Sequence, residues 1–224
     1  MTPVAALIFD FDGLIVDTET PIYEAWREAY RERGHELSLE AWERALGTHG
    51  GFDAFAHLEL LCGRTFERER LLEQVSERNR RACDAQPLLP GVAERLTEAR
   101  ALGLGTAVAS SSSCAWVTGW LERHAIRPLF DRVCARDDVA RVKPAPDLFL
   151  LAAQRLGVSA AACLVFEDSP NGIRAARAAG MRCVAVPNTL TRGLVLPRPD
   201  LVLTSLAELP LREIVQRVEA RVVA

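Results

Sequence analysis

Two acidic clusters stand directly behind apolar runs in this chain, at Asp10-Phe11-Asp12-Gly13 and at Glu167-Asp168-Ser169. The first follows Val4–Phe9 and the second follows Leu164-Val165-Phe166, runs expected of strands buried on both faces of a parallel sheet. Carboxylates at i and i+2 leaving a strand project near one another and repel unless a cation lies between them. A hard divalent cation with oxygen ligands supplies that charge. Two acidic strand ends in one sheet therefore point to one shared metal site, at the edge where open α/β sheets bind ligands. Each cluster also has a plainer reading. Asp-Gly is a common turn, and Ser169-Pro170 caps and opens a helix. Capping accounts for Ser169 and Pro170 but not for two consecutive acids.

Ser110 ends the run Leu104–Ala109 and is expected to begin a helix. A hydroxyl beside the free N–H groups of a helix N-terminus suits phosphate, although for Ser110 taken alone simple capping is the favoured reading. Lys143 is the other cationic candidate. The chain has 27 basic residues of which one is Lys, leaving 27 − 1 = 26 Arg. Against that bias a surviving Lys marks a place where Arg does not substitute, chance survival being the alternative. A compact ammonium fits between a carboxylate and a phosphate where a planar guanidinium does not. Its setting, Arg141-Val142-Lys143-Pro144-Ala145-Pro146-Asp147, reads as an extended loop before a helix.

These residues need a scaffold, and short apolar runs supply it at Val4–Phe9, Leu104–Ala109, Ala162–Phe166, Cys183–Val186 and Leu201–Leu203. Helical patterns lie between or after them at Ala115–Leu121, Leu148–Leu156, Ile173–Ala179 and Leu206–Val218. Alternation of this kind predicts an α/β fold, a Rossmann-like parallel sheet with helices on both faces. One block breaks the rhythm. From Thr18 to about Ala85 there are only charged, helix-like segments, at Pro21–Arg33, Leu39–Leu46 and Phe66–Cys83, with a Gly47-Thr48-His49-Gly50-Gly51 turn. The block closes on the stiff connector Pro87-Leu88-Leu89-Pro90-Gly91. The expected division is a core of residues 1–17 and 86–224 around an all-helical insert of residues 18–85. Tyr23 and Trp26 are expected in the insert's own core.

With 27 basic and 30 acidic residues the net charge is −3, against a nucleic-acid footprint, which needs a clustered basic excess. No apolar stretch reaches the ~18 residues of a membrane span, and the N-terminus lacks the basic and apolar regions of a secretory signal. Six cysteines without a CxxC pair suggest neither zinc nor a disulfide framework, and a reducing cytoplasm is the expected setting. A monomer or weak dimer is expected.

Taken in order, the motifs resemble those of the haloacid dehalogenase superfamily along nearly the whole chain. They are Asp10-Phe11-Asp12-Gly13-Leu14-Ile15-Val16-Asp17-Thr18-Glu19, Ser110, Lys143-Pro144-Ala145-Pro146-Asp147, and Glu167-Asp168-Ser169-Pro170-Asn171-Gly172. The helical insert is similar to that superfamily's small α-helical cap, near the phosphoglycolate phosphatase and β-phosphoglucomutase branch. The resemblance implies an Mg²⁺-dependent phosphatase acting on a small phosphate ester, with Asp10 as nucleophile forming an aspartyl-phosphate and Asp12 as general acid and base. Asp10, the Asp12 carbonyl and Asp168 would hold the metal, Glu167 would support it through water, and Ser110 and Lys143 would bind phosphate. Dehalogenating members carry no acid at the Asp12 position. Mutases of the β-phosphoglucomutase type, the alternative, place a His a few residues after the Asp-Thr and an Arg in the cap loop. Here those neighbourhoods read Thr20-Pro21-Ile22-Tyr23 and Gly47-Thr48-His49-Gly50. His49 and Thr18 are the specificity candidates, with hinges expected near Val16–Thr18 and Gln86–Pro90. Arg78 and Arg81 are either an anion-binding pair for a substrate tail or a solvated helix face.

Overall fold

The structure is a computed structural model that describes residues 2–221. Its centre is a parallel sheet of β1 (Ala6–Phe9), β2 (Gly105–Ala109), β3 (Arg132–Cys134), β4 (Cys163–Glu167), β5 (Arg182–Ala185) and β6 (Leu201–Val202), in the order β3-β2-β1-β4-β5-β6. β1 lies between β2 and β4, with Phe9 in register with Val108 on one side and Phe166 on the other. The carboxyl ends of these strands therefore lie side by side.

Within each apolar run the side chains alternate between two cores. Leu7, Phe9, Val108, Leu164, Phe166 and Val184 pack on one face against α5 (Val92–Ala101), α6 (Cys114–Arg123) and α9 (Leu211–Arg221). Phe9 stacks on Phe166 there, ring centroids 4.9 Å apart. Ala6, Ile8, Ala107, Ala109, Val165 and Cys183 face the other way, toward α7 (Asp147–Leu156) and α8 (Pro170–Ala178). Both faces are dry, so the runs read as continuous rather than alternating.

Between β1 and α5 the chain is helical: α1 (Glu19–Arg31), α2 (Leu39–Trp42), α3 (Ala54–Cys62) and α4 (Arg68–Cys83). These helices close a further core of Tyr23, Trp26, Ala29, Tyr30, Trp42, Leu46, Phe55, Leu58, Leu71 and Val75, joined by Leu190 from the segment after β5. Tyr23 donates its hydroxyl to the Leu37 carbonyl at 3.0 Å and Tyr30 to the Ala54 carbonyl at 2.8 Å, so both phenols are buried without loss of a hydrogen bond. The chain's exit from β1 and its return run side by side: Val16 bridges Leu88, and the Leu89 N–H donates to the Ile15 carbonyl at 2.9 Å.

Several elements differ from the sequence expectation. The segment expected to be helical over Leu39–Leu46 stops at Trp42 and continues as turns toward Gly47, whose φ is +68°. The last helix starts at Leu211, after Pro210, not at Leu206. α6 is capped by Ser113, which accepts from the Trp116 N–H at 3.3 Å, so Ser110 does not open that helix. β3, α3 and α5 have no counterpart in the expected elements.

Candidate active site

β1 ends one residue before Asp10, whose N–H still donates to the Phe166 carbonyl of β4 at 3.0 Å. β4 ends on Glu167, with Asp168 next, and β2 ends one residue before Ser110. Lys143, in the loop before α7, reaches into the same edge and is fully buried. The sheet order thus gathers four positions far apart in sequence.

The Lys143 ammonium bridges two carboxylates, hydrogen-bonding Asp10 Oδ1 and, at 2.7 Å, Glu167 Oε1, above the Phe149 ring at 4.8 Å. Glu167 has no free oxygen: its Oε2 accepts from the Ser169 N–H and hydroxyl, both at 3.0 Å. Ser169 also caps α8 by accepting from the Gly172 N–H at 3.1 Å. Asp10, Glu167 and Asp168 each offer an oxygen within 4.8 Å of the others, all buried. Asp10 Oδ2 and Asp168 Oδ1 are buried with no hydrogen-bond partner.

Two orphaned carboxylate oxygens facing one cluster are a costly arrangement unless a cation meets them. Burial, with Glu167 and Asp12 adding to it and Lys143 opposing, pushes the Asp10 carboxyl up to about 8. Burial, then the Glu167 and Asp10 charges, raises Asp168 as well. Burial alone would favour the neutral Lys143 amine, but Asp10 and Glu167 outweigh it and hold the ammonium above the usual lysine range. Three acids against one ammonium leave a deficit of two positive charges, so the residues fit a divalent cation. Asp10 and Asp168 are the free donors, and Glu167 serves Lys143 and Ser169.

Folded Asp10 keeps its proton to about 8 while an unfolded Asp gives it up near ~4, so between these values the folded state binds more protons and stability falls as pH rises. Chelator-treated protein is expected to melt lower near pH 8 than near pH 6, and an added divalent cation to restore most at the higher pH. A metal-free melting temperature that is flat across this interval would contradict the charge deficit.

The Asp12 side chain lies outside the acid cluster and is held by four donors. Thr18 and Trp116 Nε1 bond its Oδ1 at 2.7 and 2.9 Å, and Ser110 and Ser112 bond its Oδ2 at 3.1 and 2.7 Å. Ser110 also accepts from the Ser112 N–H at 2.9 Å. Asn188 Nδ2 spans Asp168 Oδ2 at 2.8 Å and the Gly13 carbonyl at 3.1 Å, fixing the second acid. A Cβ on Gly13 would fall 2.4 Å from that amide, and φ is +83° there, so the Asp-Gly pair is demanded by the site as well as by the turn.

Gly172 is packed more tightly still. A Cβ there would lie 1.6 Å from Glu167 Oε1. In an ordinary helix Gly→Ala stabilises by ~1 kcal/mol, and Gly172→Ala is expected to do the reverse. It should lower the melting temperature by several degrees and weaken divalent-cation binding, because Glu167 cannot yield without leaving Lys143. A thermal melt and a cation titration check this; a raised melting temperature would refute it.

The helical insert sits on this edge through its turn. Asn171 Nδ2 donates to the Leu46 carbonyl at 2.9 Å, Ser111 to the Gly47 carbonyl at 3.2 Å, and Thr48 Oγ1 to the Lys143 carbonyl at 2.5 Å. His49 is exposed, with its Nδ1 3.0 Å from Arg136, and is not among the residues lining the cavity beside Asp12. Arg78 is paired with Glu28 and Glu32, and Arg81 with Glu77, so neither faces the acid cluster. Asp12, Thr18, Glu19, Ile22, Asn79, Ser112 and Trp116 line that cavity, of 160 Å³. Trp116 and Asn188 lack a sequence signal: the first reads as an apolar helix position, and the second follows β5 with no acidic neighbour.

A parallel sheet carrying these acids and the serine on adjacent strand ends, with a loop lysine buried among them and a helical insert beside them, defines a hydrolase class. The chain belongs to the haloacid dehalogenase-like hydrolase family, whose profile matches residues 7–186. It is 45% identical to YhcW of Bacillus subtilis, a protein bearing a phosphatase name, across 93% of this chain and 94% of that one. Fructose-1-phosphate phosphatase YqaB of Escherichia coli is 39% identical, across 81% and 96%. A CbbY mutant from Rhodobacter sphaeroides, crystallised with xylulose-(1,5)bisphosphate, matches with a TM-score of 0.74 and 31% identity, across 92% and 96%.

Proposed function

We propose that this chain is a Mg²⁺-dependent phosphatase that hydrolyses a small phosphorylated metabolite through an aspartyl-phosphate on Asp10. The observation that carries the reading is the pair of orphaned oxygens on Asp10 and Asp168 beside a buried Lys143. Mg²⁺ suits a site with few carboxylate donors because it keeps several of its own waters, and when bound there it would supply the charge that lets a carboxylate approach a phosphate.

Asp10 attacks phosphorus, and the bond to the alcohol oxygen breaks as Asp12 gives that oxygen a proton. Asp12 then takes a proton from water, which attacks the aspartyl-phosphate and releases inorganic phosphate. Lys143 neutralises Asp10 and the incoming phosphoryl oxygens, with Ser110 as a further donor. Residues 18–85 act as the cap over the core of 1–17 and 86–224, and the turn at Gly47 docks it. Ile22 lines the cavity in the neighbourhood where the mutases place their His, which favours hydrolysis over phosphoryl return. Among the described residues no helix is long and apolar enough to cross a membrane, and the six cysteines are free thiols, in keeping with a reducing cytoplasm.

The test is release of phosphate from an aryl phosphate with and without Mg²⁺, with the phosphoenzyme trapped and its site mapped by mass spectrometry. Label on Asp10 is expected; folded protein that releases no phosphate would overturn the reading.

A further inference from the structure

On the phosphatase reading, the cavity beside Asp12 is where the group attached to the phosphate would lie, because Asp12 is the residue that protonates the leaving oxygen, and its lining is acidic. It holds two carboxylates, Asp12 and Glu19, the hydroxyls of Thr18 and Ser112, the amide of Asn79, and the apolar surfaces of Ile22 and Trp116. No lysine or arginine lines it. The cations nearby are committed elsewhere. Lys143 is held by Asp10 and Glu167, Arg80 by Glu77 and Asp84, and Arg123 by Asp84 at 2.5 Å.

Resting on the phosphatase reading above, we propose that the leaving group is uncharged and hydroxyl-bearing. The enzyme then takes monophosphates of polyols or sugars and discriminates against substrates carrying a second phosphate or a carboxylate. Thr18, Ser112, Asn79 and Glu19 offer hydrogen bonds that hydroxyl groups satisfy in both directions. Cys83 donates to Asn79 Oδ1 at 3.3 Å, so the amide nitrogen is the part left for a ligand. A second anion would enter a half-exposed cavity with Asp10 and Asp12 close by and no cation in its lining to meet it. Glu19 already shows that field: burial first, then the Asp12 and Asp10 charges, raise its carboxyl well above the usual range, against a hydrogen bond from the Gly47 N–H.

Matched substrate pairs test this. Glycerol phosphate and phosphoglycerate differ by one carboxylate, and xylulose monophosphate and bisphosphate by one phosphate. kcat/KM is expected to favour the member with the uncharged leaving group in each pair by about a hundredfold, the scale of a like charge ~6 Å away near the surface of a protein. Asn79→Lys, which puts an ammonium into the lining, is expected to narrow both ratios at least tenfold. Equal kcat/KM within the pairs, with the aryl phosphate still hydrolysed, would overturn this inference and leave the phosphatase reading standing. Ratios unmoved in a folded Asn79→Lys enzyme would also overturn it. Failure to hydrolyse even the aryl phosphate would remove the phosphatase reading and this inference with it.

Discussion

Asp10→Asn is expected to abolish turnover while leaving the metal-free protein at least as stable as the parent. The two effects have one origin. The Asp10 carboxylate is buried, with Glu167 and Asp12 near it and one oxygen unpartnered. A nucleophile kept in such a place is held against its own solvation, and an amide relieves that cost because it carries no charge. Lys143 keeps Glu167 as a partner, so the substitution does not strand the ammonium. Loss of a covalent nucleophile acts on the scale of 10⁴-fold or more in kcat. Steady-state assays and a thermal melt decide the matter together. Activity within tenfold of the parent would refute the role of Asp10, and a melting temperature several degrees lower would refute the account of its strain.

The second large effect is expected at Lys143. Lys143→Arg keeps the charge and should still cost two or more orders of magnitude in kcat together with a few degrees of melting temperature. The ammonium occupies a closed slot between Asp10, Glu167 and the Phe149 ring, with none of its surface exposed. A guanidinium is larger and planar, and overfilling such a slot costs ~1–3 kcal/mol. Lys143→Ala is the harsher variant. Removing one partner of a buried pair leaves the other charge uncompensated, a loss of ~3–5 kcal/mol. If Lys143→Arg turned over at the parental rate, the lone lysine would be an accident of composition.

The catalytic edge was legible where physics writes continuous runs. β1, β2, β4 and β5 are dry on both faces, so their apolar residues stand together in the sequence, and the acids that follow them stand out. β3 left no such trace, being three residues at the sheet's edge with Arg132 exposed. α3 was hidden for the opposite reason: Ala54–Cys62 is apolar on most sides, with Leu60 and Leu61 at the surface, so no stripe marks its buried face. Lys143 was found through composition, since a single exception among 27 basic residues is visible without any structure. Trp116 was not, because a pattern of apolar residues says nothing about where an indole N–H points. Ser110 was placed at the right strand end, but its hydroxyl goes to Asp12 and not to a helix terminus. His49 lies in the turn that docks, one residue beyond Thr48, and its ring goes to Arg136.

That turn touches the core through two main-chain carbonyls and two side chains. The carbonyls of Leu46 and Gly47 accept from Asn171 and Ser111, the Thr48 hydroxyl donates to the Lys143 carbonyl, and the His49 ring meets Arg136 at the surface. Gly47 is the exception that proves tight: a Cβ there would lie 2.0 Å from the Ser169 hydroxyl. Where a seam rests on backbone carbonyls, as at Leu46 and Gly47, it is indifferent to the side chains that flank it. Substitutions elsewhere in the helical insert can remodel the chamber over Asp12 without renegotiating how the two layers meet. Under the cap role proposed above, closure and selectivity are then separable traits, the first tied to this latch and the second to the rest of the insert.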